Sequence, residues 1–138
     1  MNVAFFLKPK SEVFYLQESM PLARALNELL RSGYTSVPVI NREGSYVGAV
    51  SEGDFLCSLA KTDGEHLQLT SVKDAESKRV RDILRPERNP SARIDEPAEA
   101  LVSRTTGQNF VPIVDDRGIF IGIVTRRNVI RYFLDTPK

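Results

Sequence analysis

One phrase occurs twice in this chain, and that duplication limits its fold more than any other feature. "VPVINREGSYVGAVSEGDFL" begins at Val37, and "VPIVDDRGIFIGIVTRRNVI" begins at Val111. Pro38 corresponds to Pro112, Gly44 to Gly118, Gly48 to Gly122, Ser51 to Thr125 and Asp54 to Asn128, all at one spacing. Apolar positions keep step, as in Val39 with Ile113, Tyr46 with Phe120 and Val50 with Val124. Upstream, with small gaps, "LKP" at Leu7 resembles "LRP" at Leu84, Pro21 and Ala25 match Pro97 and Ala100, and Gly33 matches Gly107. A chain of two copies is built from one supersecondary unit used twice, so that unit has to be read first.

Each copy reads as helix, strand, turn, strand, helix. In the first, Ser19 caps a helix with Pro21 near its start, and Leu22, Ala25, Leu26, Leu29 and Leu30 form a stripe of helical period that Gly33 ends. "YTSVPVI" is an apolar strand, "NREG" a turn and "SYVGAV" the return strand of a hairpin. Ser51 caps the second helix, with Phe55, Leu56 and Leu59 on its buried side. In the second copy Asp95 is the cap, the helix runs to Thr106, the strands cover residues 110–114 and 119–124, and a helix starts after Thr125. Residues 1–60 and 80–138 are thus the repeats. Residues 61–79, polar and aperiodic, connect them, with room for a short helix. One half buries too little to stand alone, so the halves are expected to pack sheet to sheet about a pseudo-two-fold axis.

Bulk properties narrow the function. At 138 residues the chain suffices for a real core, and a formal net charge of +1 argues against a nucleic-acid partner. No apolar run approaches the roughly 20 residues of a membrane helix, and "MNVAFFL" is too short for a signal-peptide core. A single cysteine, Cys57, excludes an internal disulfide and fits a reducing cytoplasm. Cys57 reads as a core or half-buried thiol and His66 as a surface group. No nucleophile–base pair, metal-ligand spacing or phosphate-binding glycine loop is visible, so an enzyme is not expected.

The register of "SGYTSVPV", "GAVSEGDFL" and "NFVPIVDDRGIFIGIVTRRN" resembles a tandem pair of cystathionine-β-synthase (CBS) domains, a Bateman module. The resemblance spans nearly the whole chain and implies an α/β fold of two β-α-β-β-α repeats. It also implies a regulatory module that binds adenosine-containing ligands in clefts shared between repeats. Carried over by position, one cleft would join residues 10–14, notably Lys10 and Phe14, and Thr35 and Ser36, to Thr125, Arg126, Arg127 and Asn128. The other would join residues 88–92, notably Arg88 and Ala92, and Asn109 to Ser51 and Asp54. Stand-alone bacterial pairs that resemble this chain, including cyclic di-AMP receptors, carry "GYT" and "TRR" at the same places. That adds cyclic di-AMP to AMP, ADP and ATP as the expected ligand. Related pairs also imply a homodimer formed through helices, with an unidentified regulated protein as the output. Phe14 stands where such pairs often keep a small residue, and Asn128 replaces their common Asp.

The residue types suit that chemistry. A helix N-terminus offers unpaired N–H groups and partial positive charge to a phosphate, and arginine forks match phosphate oxygens. Arg126 and Arg127 begin a helix, where its dipole disfavours cations by about 0.3–1 kcal/mol each. A bound anion would reverse that cost. Ser51-x-x-Asp54 and Thr125-x-x-Asn128 are also capping patterns that need only local hydrogen bonds. In the first repeat Glu52 and Gly53 replace the arginine pair, so the Ser51/Asp54 cleft is expected to take a less charged ligand or none. The competing expectation is a ligand-free dimerisation module whose clefts are filled by side chains such as Phe14.

Overall fold

A computed structural model describes residues 3–63, 66–69 and 76–135. The strands are β1 (Leu7–Pro9), β2 (Leu16–Gln17), β3 (Ser36–Ile40), β4 (Tyr46–Ser51), β5 (Ala60–Asp63), β6 (His66–Leu69), β7 (Ala92–Arg93), β8 (Phe110–Val114) and β9 (Phe120–Thr125). The helices, in order along the chain, are α1 (Leu22–Ser32), α2 (Glu52–Leu59), α3 (Ala98–Arg104) and α4 (Arg126–Asp135). This is a mixed α/β fold in which the duplicated phrase gives the duplicated elements.

The chain divides into two compact units, and neither is one uninterrupted stretch. One contains residues 1–13, 43–46 and 89–138; the other contains 14–42 and 47–88. In the first unit a four-stranded sheet runs β1-β9-β8-β7, with β1 antiparallel to β9 and β7 parallel to β8. In the second, β2-β3-β4 form the sheet, and the place equivalent to β1 is held by one bridge between Ala49 and Arg85. The "LKP" segment therefore flanks the second repeat's hairpin, and the "LRP" segment flanks the first's.

The paired glycines follow from this crossing. A Cβ on Gly48 would sit 2.8 Å from the Arg85 carbonyl oxygen and 3.0 Å from Cα of Pro86. On Gly122 it would press into the carbonyl oxygen of Lys8. The two glycines are required because a backbone lies across each of them. Behind the sheets, Val3, Phe6, Leu101, Val111, Ile113, Val124 and Val129 are buried in one core, and Leu16, Leu22, Leu29, Val37, Val39, Val50, Phe55 and Val80 in the other.

Several local expectations change. Neither Ser19 nor Asp95 caps a helix; the caps are Pro21 and Pro97, without side-chain hydrogen bonds. At α1 the connector backbone supplies the missing acceptor, since Leu22 N–H donates to the Lys78 carbonyl at 2.8 Å. Helix α3 stops before Thr105 and Thr106 because their hydroxyls donate to the Val102 and Ser103 carbonyls at 2.6 and 2.7 Å, competing with the helix ladder. The described part of the connector holds an antiparallel pair of strands, β5 with β6, that its polar, aperiodic sequence did not announce; the rest of it, with the room left for a short helix, lies largely outside the described residues. Connector residues 64, 65 and 70–75 and the side chain of His66 lie outside the described residues. Cys57 and Leu56 are exposed, because the short α2 turns only Phe55 and Asp54 fully inward.

Candidate functional site

The two helix mouths share a backbone scaffold. The first N–H of α2, from Glu52, donates to the Thr35 carbonyl at 2.9 Å, and that of α4, from Arg126, donates to the Asn109 carbonyl at 3.0 Å. The third N–H of each helix, from Asp54 or Asn128, reaches the capping hydroxyl of Ser51 (3.3 Å) or Thr125 (3.1 Å). The residues just before the "VP" strands thereby fix the mouth of their own repeat's second helix. At both mouths the capping pattern read from the sequence is present.

At the α4 mouth, Asn109, Thr125, Arg126, Arg127, Ile130 and Arg131 line a cavity of about 530 Å³. The two adjacent arginines do different things. Arg126 Nε donates to the Thr105 carbonyl at 2.8 Å, at the C-terminal end of α3, where a cation satisfies both an orphan carbonyl and the helix dipole. Among the described residues no hydrogen bond or ion pair holds the Arg127 guanidinium. Arg131 lies one turn further along the same face and is likewise unpaired among them. Like charges four apart on a helix repel by about 0.2–0.5 kcal/mol, so this spacing is a cost to the empty mouth. Sequence reading missed Arg131; its i, i+4 relation to Arg127 was the available signal. The Asn128 amide turns toward the Phe6 carbonyl at 3.5 Å and does not line the cavity. Asn109, assigned by position to the other cleft, lines this one within its unit.

At the α2 mouth, Ser51 and Asp54 form a reciprocal capping box. Arg88 joins them, donating to Ser51 Oγ at 2.8 Å and to Asp54 Oδ2, while Arg85 Nε stands 3.5 Å from Oδ1. Phe14 stacks on Tyr34, with ring centres 6.3 Å apart. Among the described residues Ser36 Oγ is buried without a hydrogen-bond partner. Lys10 lies in a 3-10 turn after β1, and Ala92 is buried in β7.

Two titrations are displaced. Burial raises the Tyr46 phenol above its ordinary range, and its hydroxyl donates to the Asn89 carbonyl at 2.8 Å. Asp115 in the "DDRG" turn is held below the usual carboxylate range, first by the Ile119 N–H and further by the N–H and charge of Arg117, against the opposing effect of desolvation. Among the described residues no cluster of His, Cys, Asp and Glu could hold a metal, and no helix is long and apolar enough to cross a membrane.

The CBS domain profile matches residues 6–61 and again residues 80–135. This chain belongs to the CBS domain family. An A-adding tRNA nucleotidyltransferase of Aquifex aeolicus is 31% identical over 118 residues, covering 86% of this chain and 13% of that enzyme. The chain thus spans a small part of that relative, and 38% of an uncharacterised Methanocaldococcus jannaschii relative 27% identical over 109 residues, which cover 76% of this chain. The crystal structure of Listeria monocytogenes CbpB in complex with c-di-AMP is 25% identical, with a TM-score of 0.81 over 96% of this chain and 94% of that one. CBSX2 in complex with AMP is 27% identical, with a TM-score of 0.73 over 96% of each chain. CBS repeats of this fold therefore include proteins that bind adenine nucleotides.

Proposed function

We propose that this CBS pair is a non-catalytic sensor of an adenine nucleotide, AMP, ADP, ATP or cyclic di-AMP, and that occupancy alters its grip on a partner protein. The observation that carries the reading is the α4 mouth. An unpaired Arg127, with Arg131 beside it and Arg126 tied back, faces a cavity large enough for a nucleoside phosphate. Arg127 and Arg131 supply the phosphate contacts, and Thr125 adds a hydroxyl at the dipole's positive end. Lys10, in the same unit, is assigned to the nucleoside end by its position in the repeat. The ligands of CbpB and CBSX2 support the chemical class. The site is expected to work in a cytoplasmic protein with no nucleic-acid or membrane partner.

A melting screen against AMP, ADP, ATP, S-adenosylmethionine and cyclic di-AMP tests this. A ligand at 100 times its Kd stabilises by about 2.7 kcal/mol. One or more of the adenine nucleotides raises Tm, and the effect shrinks when Arg126 and Arg127 are both replaced by Ala; no rise with any compound contradicts the reading.

A second reading has its own observation. Leu30, Leu56, Ile130, Phe133 and Leu134 are large apolar side chains on helices, each more than half exposed. Such faces favour a homodimer through helices, with or without a nucleotide. Sedimentation showing a dimer together with a flat melting screen would select a purely structural module.

A further inference from the structure

We propose that Arg88 is a built-in plug for the α2 mouth, so that the chain accepts one nucleotide rather than two. This rests on the nucleotide-sensing reading above and adds the number and identity of usable mouths.

The repeat supplies Ser51 and Asp54 at the positions of Thr125 and Asn128, so in hydroxyl and ribose-acceptor chemistry the first mouth matches the second even without its arginine pair. Its acceptors are already engaged. Ser51 Oγ accepts from Asp54 N–H at 3.3 Å and from Arg88 Nη1 at 2.8 Å, which uses both lone pairs of a hydroxyl. Asp54 Oδ2 accepts from Ser51 N–H at 2.9 Å and from the same Arg88 nitrogen, and Oδ1 faces Arg85 Nε at 3.5 Å. The Asp54 side chain is only 6% exposed. A ribose that sought Ser51 and Asp54 would have to displace a charge-assisted guanidinium from a buried carboxylate, and water would not replace that contact in kind.

The α4 mouth inverts each element. A neutral Asn128 replaces the carboxylate, so there is no anion to draw in an internal arginine. Arg127 replaces Gly53, so the mouth holds a cation in need of an anion. The change from Glu52-Gly53-Asp54 to Arg126-Arg127-Asn128, with Arg88 at the first mouth, thus separates a self-satisfied mouth from a receptive one.

Equilibrium dialysis with labelled AMP, from micromolar to millimolar, reads the result as nucleotides bound per chain. The wild type binds one. Arg88→Gln binds two, the second with an affinity at least about tenfold above anything the wild-type α2 mouth shows, as expected for removing a competing charged hydrogen bond. Arg88→Lys, which keeps the charge but not the fork, falls between them. The Arg126→Ala/Arg127→Ala double variant binds its one nucleotide at least about tenfold more weakly, and adding Arg88→Gln to it restores one site of wild-type-like affinity. Melting curves confirm that each variant is folded, and a slowly rotating Arg88 guanidinium in ¹⁵N NMR of the free wild type reports the plug without any ligand.

Two nucleotides on the wild type, a freely rotating Arg88 guanidinium, or a folded triple variant that binds no better than the double variant each overturn the plug. Binding to Arg88→Gln but not to the wild type supports the plug and overturns the α4 assignment instead, which keeps the two claims separable.

Discussion

At the scale of single residues, the equivalent glycines separate structural from functional demand. Gly48 and Gly122 lie under crossing backbones. Replacing either with Ala is expected to destabilise by about 1–3 kcal/mol, the range for overpacking a tight contact. Gly53 is the contrast. A Cβ there meets nothing nearer than Ser51 Oγ at 3.6 Å, and the residue is helical, so Gly53→Ala should stabilise by about 0.5–1 kcal/mol. Chemical denaturation of the three variants checks both signs. The neighbouring arginines also part company here. Arg126→Ala loses a charged hydrogen bond to Thr105, discounted by exposure to about 1 kcal/mol, and regains about 0.3–1 kcal/mol from the dipole, so the net change is small. The sequence showed that these two positions were unusual. It did not show that one is a strut and the other unpaired, because that depends on where the α3 terminus falls.

At the scale of elements, the hairpin strands β3, β4, β8 and β9 were legible from apolar runs and turn residues, and β8 begins and ends as read; the two- and three-residue strands β1, β2 and β7 are too short to carry such a pattern. The starts of α2 and α4 were legible too, at Ser51 and Thr125, but those of α1 and α3 were not, and at Leu22 a backbone acceptor from the connector replaced the expected capping side chain. The segment around Leu7 carried a sequence signal, its likeness to the "LRP" segment, but not its consequence. Val3 and Phe6 are 1% exposed in the core behind β9. Deleting residues 1–10 removes both, along with β1, and should cost about 3–6 kcal/mol at about 1.5–3 kcal/mol per buried side chain. A urea titration of the truncated chain reads this as a collapse of the midpoint. The "DDRG" turn makes a pH prediction. Asp115 Oδ1 accepts from the N–H groups of Arg117 and Ile119 at 2.9 and 3.0 Å, and its folded pKa is lowered. Its stabilisation is therefore full above the unfolded carboxylate value of about 3.9 and is lost as pH falls through the folded value. Asp115→Ala should lower Tm at pH 7, and the gap to wild type should close toward strongly acid pH.

At the scale of the whole molecule, duplication gave two helix mouths, and the copies differ in the charges they place there. The repeat and its family were legible because glycines, prolines and caps recur in register. The chemistry inside each mouth was only half legible. The resemblance placed Arg88 with Ser51 and Asp54 as a ligand contact, but it gave no sign that the guanidinium bonds both side chains directly. The central claim is that the α4 mouth holds an unpaired cation at a standing cost, which a nucleotide's phosphate removes. Melting of Arg127→Ala with and without cyclic di-AMP tests it directly. Without nucleotide the variant should melt about 1–4 °C above wild type, the shift for about 0.3–1 kcal/mol of relieved dipole repulsion in a domain of this size, and the nucleotide-induced rise should shrink. A free variant that melts below wild type, or a nucleotide-induced rise as large as in wild type, would contradict the account.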